Sequence, residues 1–162
     1  MAVDLRIRLD DLRDPRIAAF LEEHLADMHR VSPPESVFAL DLDGLRDPAI
    51  QFWSAWLPHD GTPDGMQLAG TAALKRLDSA HAELKSMRTA SALRGRGVAR
   101  RMLEHVLARA REQGYSRVSL ETGVQPFFEP ARVLYEKLGF VACGQFGGYG
   151  PDPTSHFMTR SL

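Results

Sequence analysis

Residues 93–103 read LRGRGVARRML, two glycines and four arginines set immediately ahead of an apolar, helix-like run. Glycine weakens a helix by about 1 kcal/mol relative to alanine, so a pair of them at a helix start asks for a reason. A chain entering a helix through Arg-Gly-Arg-Gly leaves several backbone N–H groups without partners. Those donors and the positive end of the helix dipole form an anion site. Gly95 and Gly97 let a phosphate approach the backbone where a Cβ would block it, and Arg94, Arg96, Arg100 and Arg101 add positive potential. The residues alone leave two readings open: a phosphate or pyrophosphate cradle, or a solvated helix start.

Two nucleotide motifs do not account for the turn. A Walker loop needs Lys-Ser or Lys-Thr after its last glycine, and neither follows here. A dinucleotide fingerprint needs a third small residue where Arg100 stands. It also needs a β-α-β setting, whereas the segments ahead of the turn read as hairpins.

The surrounding elements follow from periodicity and turn chemistry. Leu5–Arg8 reads as a short strand, and Asp14 and Pro15 as the N-cap and first residue of a helix over Pro15–His29. VSPPES breaks that helix, and 37–48 reads as loop with one helical turn. The aromatic stretch 49–56, the turn-rich HDGTPDG and the apolar 66–77 predict a hairpin, and 82–89 a third strand. Ala99, Met102, Leu103, Val106, Leu107 and Ala110 recur at helical spacing, with Gly114 as the stop. A strand over 115–122, a short helix within 126–140 and strands at 140–143 and 156–161 complete the order. Strands and helices alternate as β-α-loop-β-β-β-α-β-α-β-β, an α/β (α+β) pattern with an antiparallel first half.

Length and charge set the frame. The 162 residues suit one domain, 1–162, with one substantial core. A net charge of −1 gives no sign of a nucleic-acid or anionic-membrane partner. The one cysteine, Cys143, rules out an internal disulfide and reads as a small buried hydrophobe. A reducing cytoplasm is the expected home. The N-terminal stretch lacks the apolar core of a signal peptide, no apolar run suffices for a membrane span, and the histidines and carboxylates show no metal-ligand spacing.

Residues 82–140 resemble the GNAT superfamily of acyl-CoA-dependent N-acyltransferases. Arg94-Gly95-Arg96-Gly97-Val98-Ala99 matches its [QR]-x-x-G-x-[GA] signature in form, after a strand like the family's fourth. Ala131 to Phe140 matches A-x-x-L-Y-x-x-x-G-F, and one helix and one strand separate the two. ALKRLD, HAELKSMRT, SLETG and FMTRSL further resemble a bacterial YsnE-type subgroup, extending the likeness over at least 49–162.

The resemblance implies a GNAT fold: a mixed, mostly antiparallel twisted sheet flanked by helices, with a splayed central strand pair. It implies acetyl-CoA as co-substrate without a metal, an amine acceptor, and a monomer or homodimer. The pyrophosphate would lie on the backbone of Arg94, Gly95, Arg96, Gly97, Val98, Ala99 and Arg100. The pantetheine arm would pair with main-chain groups of Met87, Arg88 and Thr89 as a pseudo-strand. The amine must be neutral to attack, so a general base is needed, and Glu121 and Glu83 are both candidates, each alternatively a strand-end cap or arginine partner. His81 is a weaker candidate, more simply a turn residue. A backbone N–H near Met87 would steady the oxyanion. Tyr135, alternatively a half-buried core residue, would donate the proton to the leaving thiolate.

The chain also departs from the family pattern. Phe128 stands where an asparagine often contacts pantetheine, and the loop carries Pro126 and Pro130. Phe52, Trp53 and Trp56 are first of all core candidates, with Phe52 and Trp56 on one strand face. Phe127, Phe128, Phe146 and Tyr149 are candidates for acceptor contacts. An acetyltransferase is the leading reading; a non-catalytic acyl-CoA-binding sensor and an unrelated phosphate-binding module are the alternatives.

Overall fold

A computed structural model describes residues 4–162. Seven strands form one sheet: β1 (Arg6–Leu9), β2 (Ile50–Pro58), β3 (Met66–Arg76), β4 (His81–Thr89), β5 (Arg117–Gly123), β6 (Val141–Ala142) and β7 (Ser155–Ser161). Their order in space is β1-β2-β3-β4-β5-β7-β6. Every neighbouring pair is antiparallel except β4 and β5. The helices are α1 (Pro15–Val31), α2 (Leu42–Leu45), α3 (Val98–Glu112) and α4 (Glu129–Lys137).

Local chemistry explains the helix ends. Asp14 Oδ1 accepts the Arg16 backbone N–H at 2.9 Å, capping α1 with Pro15 at its first position. Helix α3 is different. Its N-cap is Gly97, at φ +80°, and no side chain caps it. Glycine reaches that left-handed conformation without steric penalty, and the first N–H groups of α3 stay uncapped.

The sheet divides the apolar residues into two cores. Met102, Leu103, Val106 and Leu107 of α3 pack with Leu84 of β4, Val118 and Leu120 of β5, and Tyr135 of α4. Ile17 and Leu21 of α1 pack on the other face with Leu45, Phe52 and Trp56. Trp53 belongs to the first core and Phe52 and Trp56 to the second, as strand alternation predicts. All three are buried core residues, so none of them borders an acceptor pocket. Cys143 departs from expectation: it is half-exposed, because the strand around it is only Val141–Ala142, at the sheet edge. Among the described residues, no helix is long and apolar enough to cross a membrane.

Two features of the sheet make a site. Strands β4 and β5 pair only at His81–Arg117, Ala82–Val118 and Glu83–Ser119. Beyond that point they part, although β4 continues to Thr89 and β5 to Gly123. On the other side of β4 the register slips between Thr71 and Ala73, so Ser86 and Met87 together oppose Ala72. Ser86 holds φ +53° at this bulge, which turns the local backbone out of the ladder.

Candidate active site

The parting of β4 and β5 opens a cavity of about 560 Å³ that runs from the Gly95–Gly97 turn to the loops above β5. Past Glu83, the edge of β4 that faces β5 has no strand partner. Its backbone donors and acceptors are therefore available to an extended ligand. The glycine turn borders the same cavity. A Cβ built at Gly95 or Gly97 would meet no protein atom within 4 Å, so the space over the turn is open.

Most of the residues singled out in the sequence line this one cavity: Glu83, Met87, Arg88, Thr89, Arg94, Gly95, Gly97, Val98, Ala99, Arg100, Glu121 and Tyr135. Arg96 is exposed and does not line it. Arg88 borders the cavity, but its side chain is committed elsewhere. Its Nη1 donates to Asp27 Oδ2 at 2.8 Å, and Nη2 lies 3.0 Å from Glu23 Oε1 as an ion pair. The guanidinium thus ties β4 to α1, and the aspartate is held below its ordinary range mainly by that hydrogen bond.

The two carboxylates reach the cavity by strand alternation. Ala82 and Leu84 point into the α3-side core, so Glu83 and Lys85 occupy the opposite face of β4. Val118 and Leu120 do the same on β5, which leaves Ser119 and Glu121 on that face. Glu83 is only 3% exposed. Its Oε2 accepts the Tyr149 hydroxyl and, at 3.3 Å, Lys85 Nζ, which also donates to the Tyr149 oxygen at 3.0 Å. Among the described residues Glu121 has one hydrogen-bond partner, Ser155 Oγ, which donates to Oε2 at 2.8 Å. Burial raises the Glu121 carboxyl to about 7, with Ser155 and the Lys85 charge opposing the rise.

Tyr135 arrives from the other side of the sheet, on α4. It is 6% exposed and lies against Phe140, with ring centroids 5.8 Å apart. Its hydroxyl makes no hydrogen bond among the described residues, and burial, then the Glu121 charge, pushes its ionisation well above the phenol's usual value. It therefore holds its proton throughout the working pH range. His81, the weaker base candidate, opens β4 and shares a 2.6 Å hydrogen bond between its Nε2 and Ser119 Oγ. Burial lowers its basicity.

The remaining wall belongs to the chain's loops. Phe127, Phe128 and Tyr149 line the cavity, whereas Phe146 does not and instead packs edge-on against Tyr149 at 5.3 Å. Phe128 presses on Gly123, where a Cβ would come within 2.3 Å of its ring. Ser36 Oγ donates to Asp152 Oδ2 at 2.6 Å, and Phe38 meets Tyr149 edge-on at 5.1 Å. These contacts join the 34–39 and 149–154 segments above the cavity. Lys85, Ser86 and His24 also line it and went unremarked in the sequence. Lys85 had a signal, since it is two positions from Glu83 and shares its strand face; His24 and Ser86 had none.

The sequence pattern of the acetyltransferase (GNAT) family matches residues 17–140. The uncharacterised N-acetyltransferase YsnE of Bacillus subtilis (strain 168) is 48% identical over 158 residues, covering 98% of this chain and 100% of that protein. The uncharacterised N-acetyltransferase YedL of Escherichia coli (strain K12) is 46% identical over 156 residues, covering 96% and 94% respectively. A Bacillus subtilis acetyltransferase solved in complex with CoA superposes with a TM-score of 0.66 at 17% identity, over 98% of this chain and 99% of that one.

Proposed function

Since the chain belongs to the acetyltransferase (GNAT) family, we propose that it transfers an acetyl group from acetyl-CoA directly to a primary amine, within the one domain 1–162. The observation that carries this reading is the split between β4 and β5, with Glu121 on one bank, Tyr135 beneath, and the uncapped glycine turn at the same cavity. The family's N-acetyltransferases and the CoA-bound fold neighbour support it.

The residues fit the donor. Uncapped N–H groups from Gly95 to Arg100 suit a pyrophosphate, and the open space over Gly95 and Gly97 admits it. Arg94 and Arg100 add charge at the rim, while Arg96 contributes through its position between the glycines. The unpartnered edge of β4 at Met87, Arg88 and Thr89 suits the pantetheine amides. Acetyl-CoA supplies an activated thioester carbonyl when bound there.

Glu121 takes the proton from the acceptor amine, because its carboxylate keeps a free oxygen and its proton affinity lies near neutrality. Glu83 has its Oε2 occupied by Tyr149 and Lys85 and serves to hold the pocket. The Met87 N–H at the bulge steadies the carbonyl oxygen as charge develops on it. Tyr135 gives its proton to the departing sulfur.

The test is thiol release from acetyl-CoA across a panel of amines, alongside acetyl-CoA binding by calorimetry. Amine-dependent thiol release is expected. Tight binding with no release on any amine would instead mark a non-catalytic acyl-CoA sensor.

A further inference from the structure

The acceptor end of the cavity carries a charge pattern that the transfer reaction alone does not require. Glu83 and Ser119 form the last bridge between β4 and β5. Two residues farther along each strand, on the same face, stand Lys85 and Glu121. They flank the mouth of the split from opposite banks, and no ion pair or hydrogen bond joins them among the described residues. A fixed cation and a carboxylate therefore face each other across a gap.

Neighbouring groups sharpen that pattern. Lys85 is only 10% exposed in its side chain, and two of its three N–H donors go to Glu83 and Tyr149, leaving one. Ser86, beside it, is 8% exposed, lines the cavity, and has a hydroxyl without a partner among the described residues. A buried hydroxyl in that state costs stability until something bonds to it. The other charged groups nearby are engaged: Arg88 with Asp27 and Glu23, and Asp152 with Ser36 and Thr154. Glu83 and Lys85 offset each other's charge, so what Lys85 offers a ligand is its remaining N–H.

Resting on the acetyltransferase reading above, we propose that the acceptor is a free α-amino acid, or a small amine of the same zwitterionic form, with its amino group at Glu121 and its carboxylate on Lys85 and Ser86. The joined roof over this end, through Ser36–Asp152 and Phe38–Tyr149, limits the acceptor to a small molecule. A lysine within a protein lacks the neighbouring carboxylate and carries chain on both sides.

The experiment compares free amino acids with their decarboxylated amines and methyl esters in the thiol-release assay. Amino acids are expected to exceed both by tenfold or more in kcat/KM, and Lys85→Met to collapse that ratio towards one. Lys85→Arg, which keeps the charge, is expected to retain the preference. Should Lys85→Met fail to fold, the wild-type panel and Lys85→Arg still decide. Equal or better turnover of the decarboxylated amines would overturn the proposal while leaving an acetyltransferase standing. An unchanged ratio in Lys85→Met would overturn the carboxylate's placement. No amine-dependent thiol release with any acceptor would overturn both this proposal and the reading beneath it.

Discussion

Tyr149 donates its hydroxyl proton to Glu83, a residue 66 positions earlier in the chain, and Lys85 donates to both. The contact fastens the glycine-rich tail loop onto β4 and fills one oxygen of the first carboxylate in the cavity. Glu121 bonds only Ser155 among the described residues, through Oε2, and burial gives it a proton affinity near neutral pH. Two glutamates that look equivalent in the sequence thus have different surroundings.

Glu121→Gln is expected to lower kcat by about 10²–10⁴-fold, the range for loss of a general base. It should also remove the rise in rate with pH expected of the wild type through about 7. A variant that keeps the wild-type profile would assign the base elsewhere.

The same group makes a stability prediction of fixed sign. In the folded chain Glu121 keeps its proton up to about 7, against 4.5 when unfolded. The unfolded chain binds fewer protons between those values, so stability falls as pH rises through them. The difference amounts to at most about 3 kcal/mol. Glu121→Gln should therefore be more stable than the wild type at pH 8 and closer to it near pH 4, as read by urea denaturation.

Tyr135→Phe should reduce turnover tenfold or more while acetyl-CoA affinity stays nearly constant. The hydroxyl has no hydrogen-bond partner to lose among the described residues, so little stability should go with it. Parallel loss of binding and turnover would make the residue structural.

Gly97→Val places a β-branched residue at φ +80°, a conformation costing about 1–3 kcal/mol for such a side chain. No protein atom would touch the new Cβ. Its other effect should fall on the ligand: acetyl-CoA affinity is expected to drop more than tenfold by calorimetry, and Gly144→Val, at a glycine that lacks positive φ and does not line the cavity, provides the contrast.

Arg88→Met breaks the tie between β4 and α1. Asp27 and Glu23 can still reach water, so the expected cost is about 1–3 kcal/mol rather than that of a sealed ion pair. Asp27 ionises more easily folded than unfolded, so its contribution is present above its unfolded value of 3.8 and is lost as pH falls below it. The variant should lose that dependence, and circular dichroism against pH would reveal it.

Much of the fold was legible because local rules suffice for it. Asp14 and Pro15 start α1, the 3.6-residue spacing of Met102 to Ala110 marks α3, and Gly114 ends its run at φ +89°. The paired motifs around Gly97 and Tyr135 gave the family. Less was legible where pairing is non-local. The strand expected at 140–143 shortens to Val141–Ala142, since β7 enters the sheet between β5 and β6 and sets how much can pair. The expectation for Arg88 concerned its main chain; its side chain goes to α1, a partner no spacing rule could point to.

By itself the sequence determined the elements, the family, the glycine turn and a short list of chemical groups, because each depends on residues near one another in the chain. Only the tertiary structure decided how those groups are arranged. The parting of β4 and β5 after Glu83 and Ser119 places Lys85 opposite Glu121, and the returning tail loop gives Tyr149 to Glu83. Burial and hydrogen bonding set where a carboxyl holds its proton, and both come from segments far away in sequence.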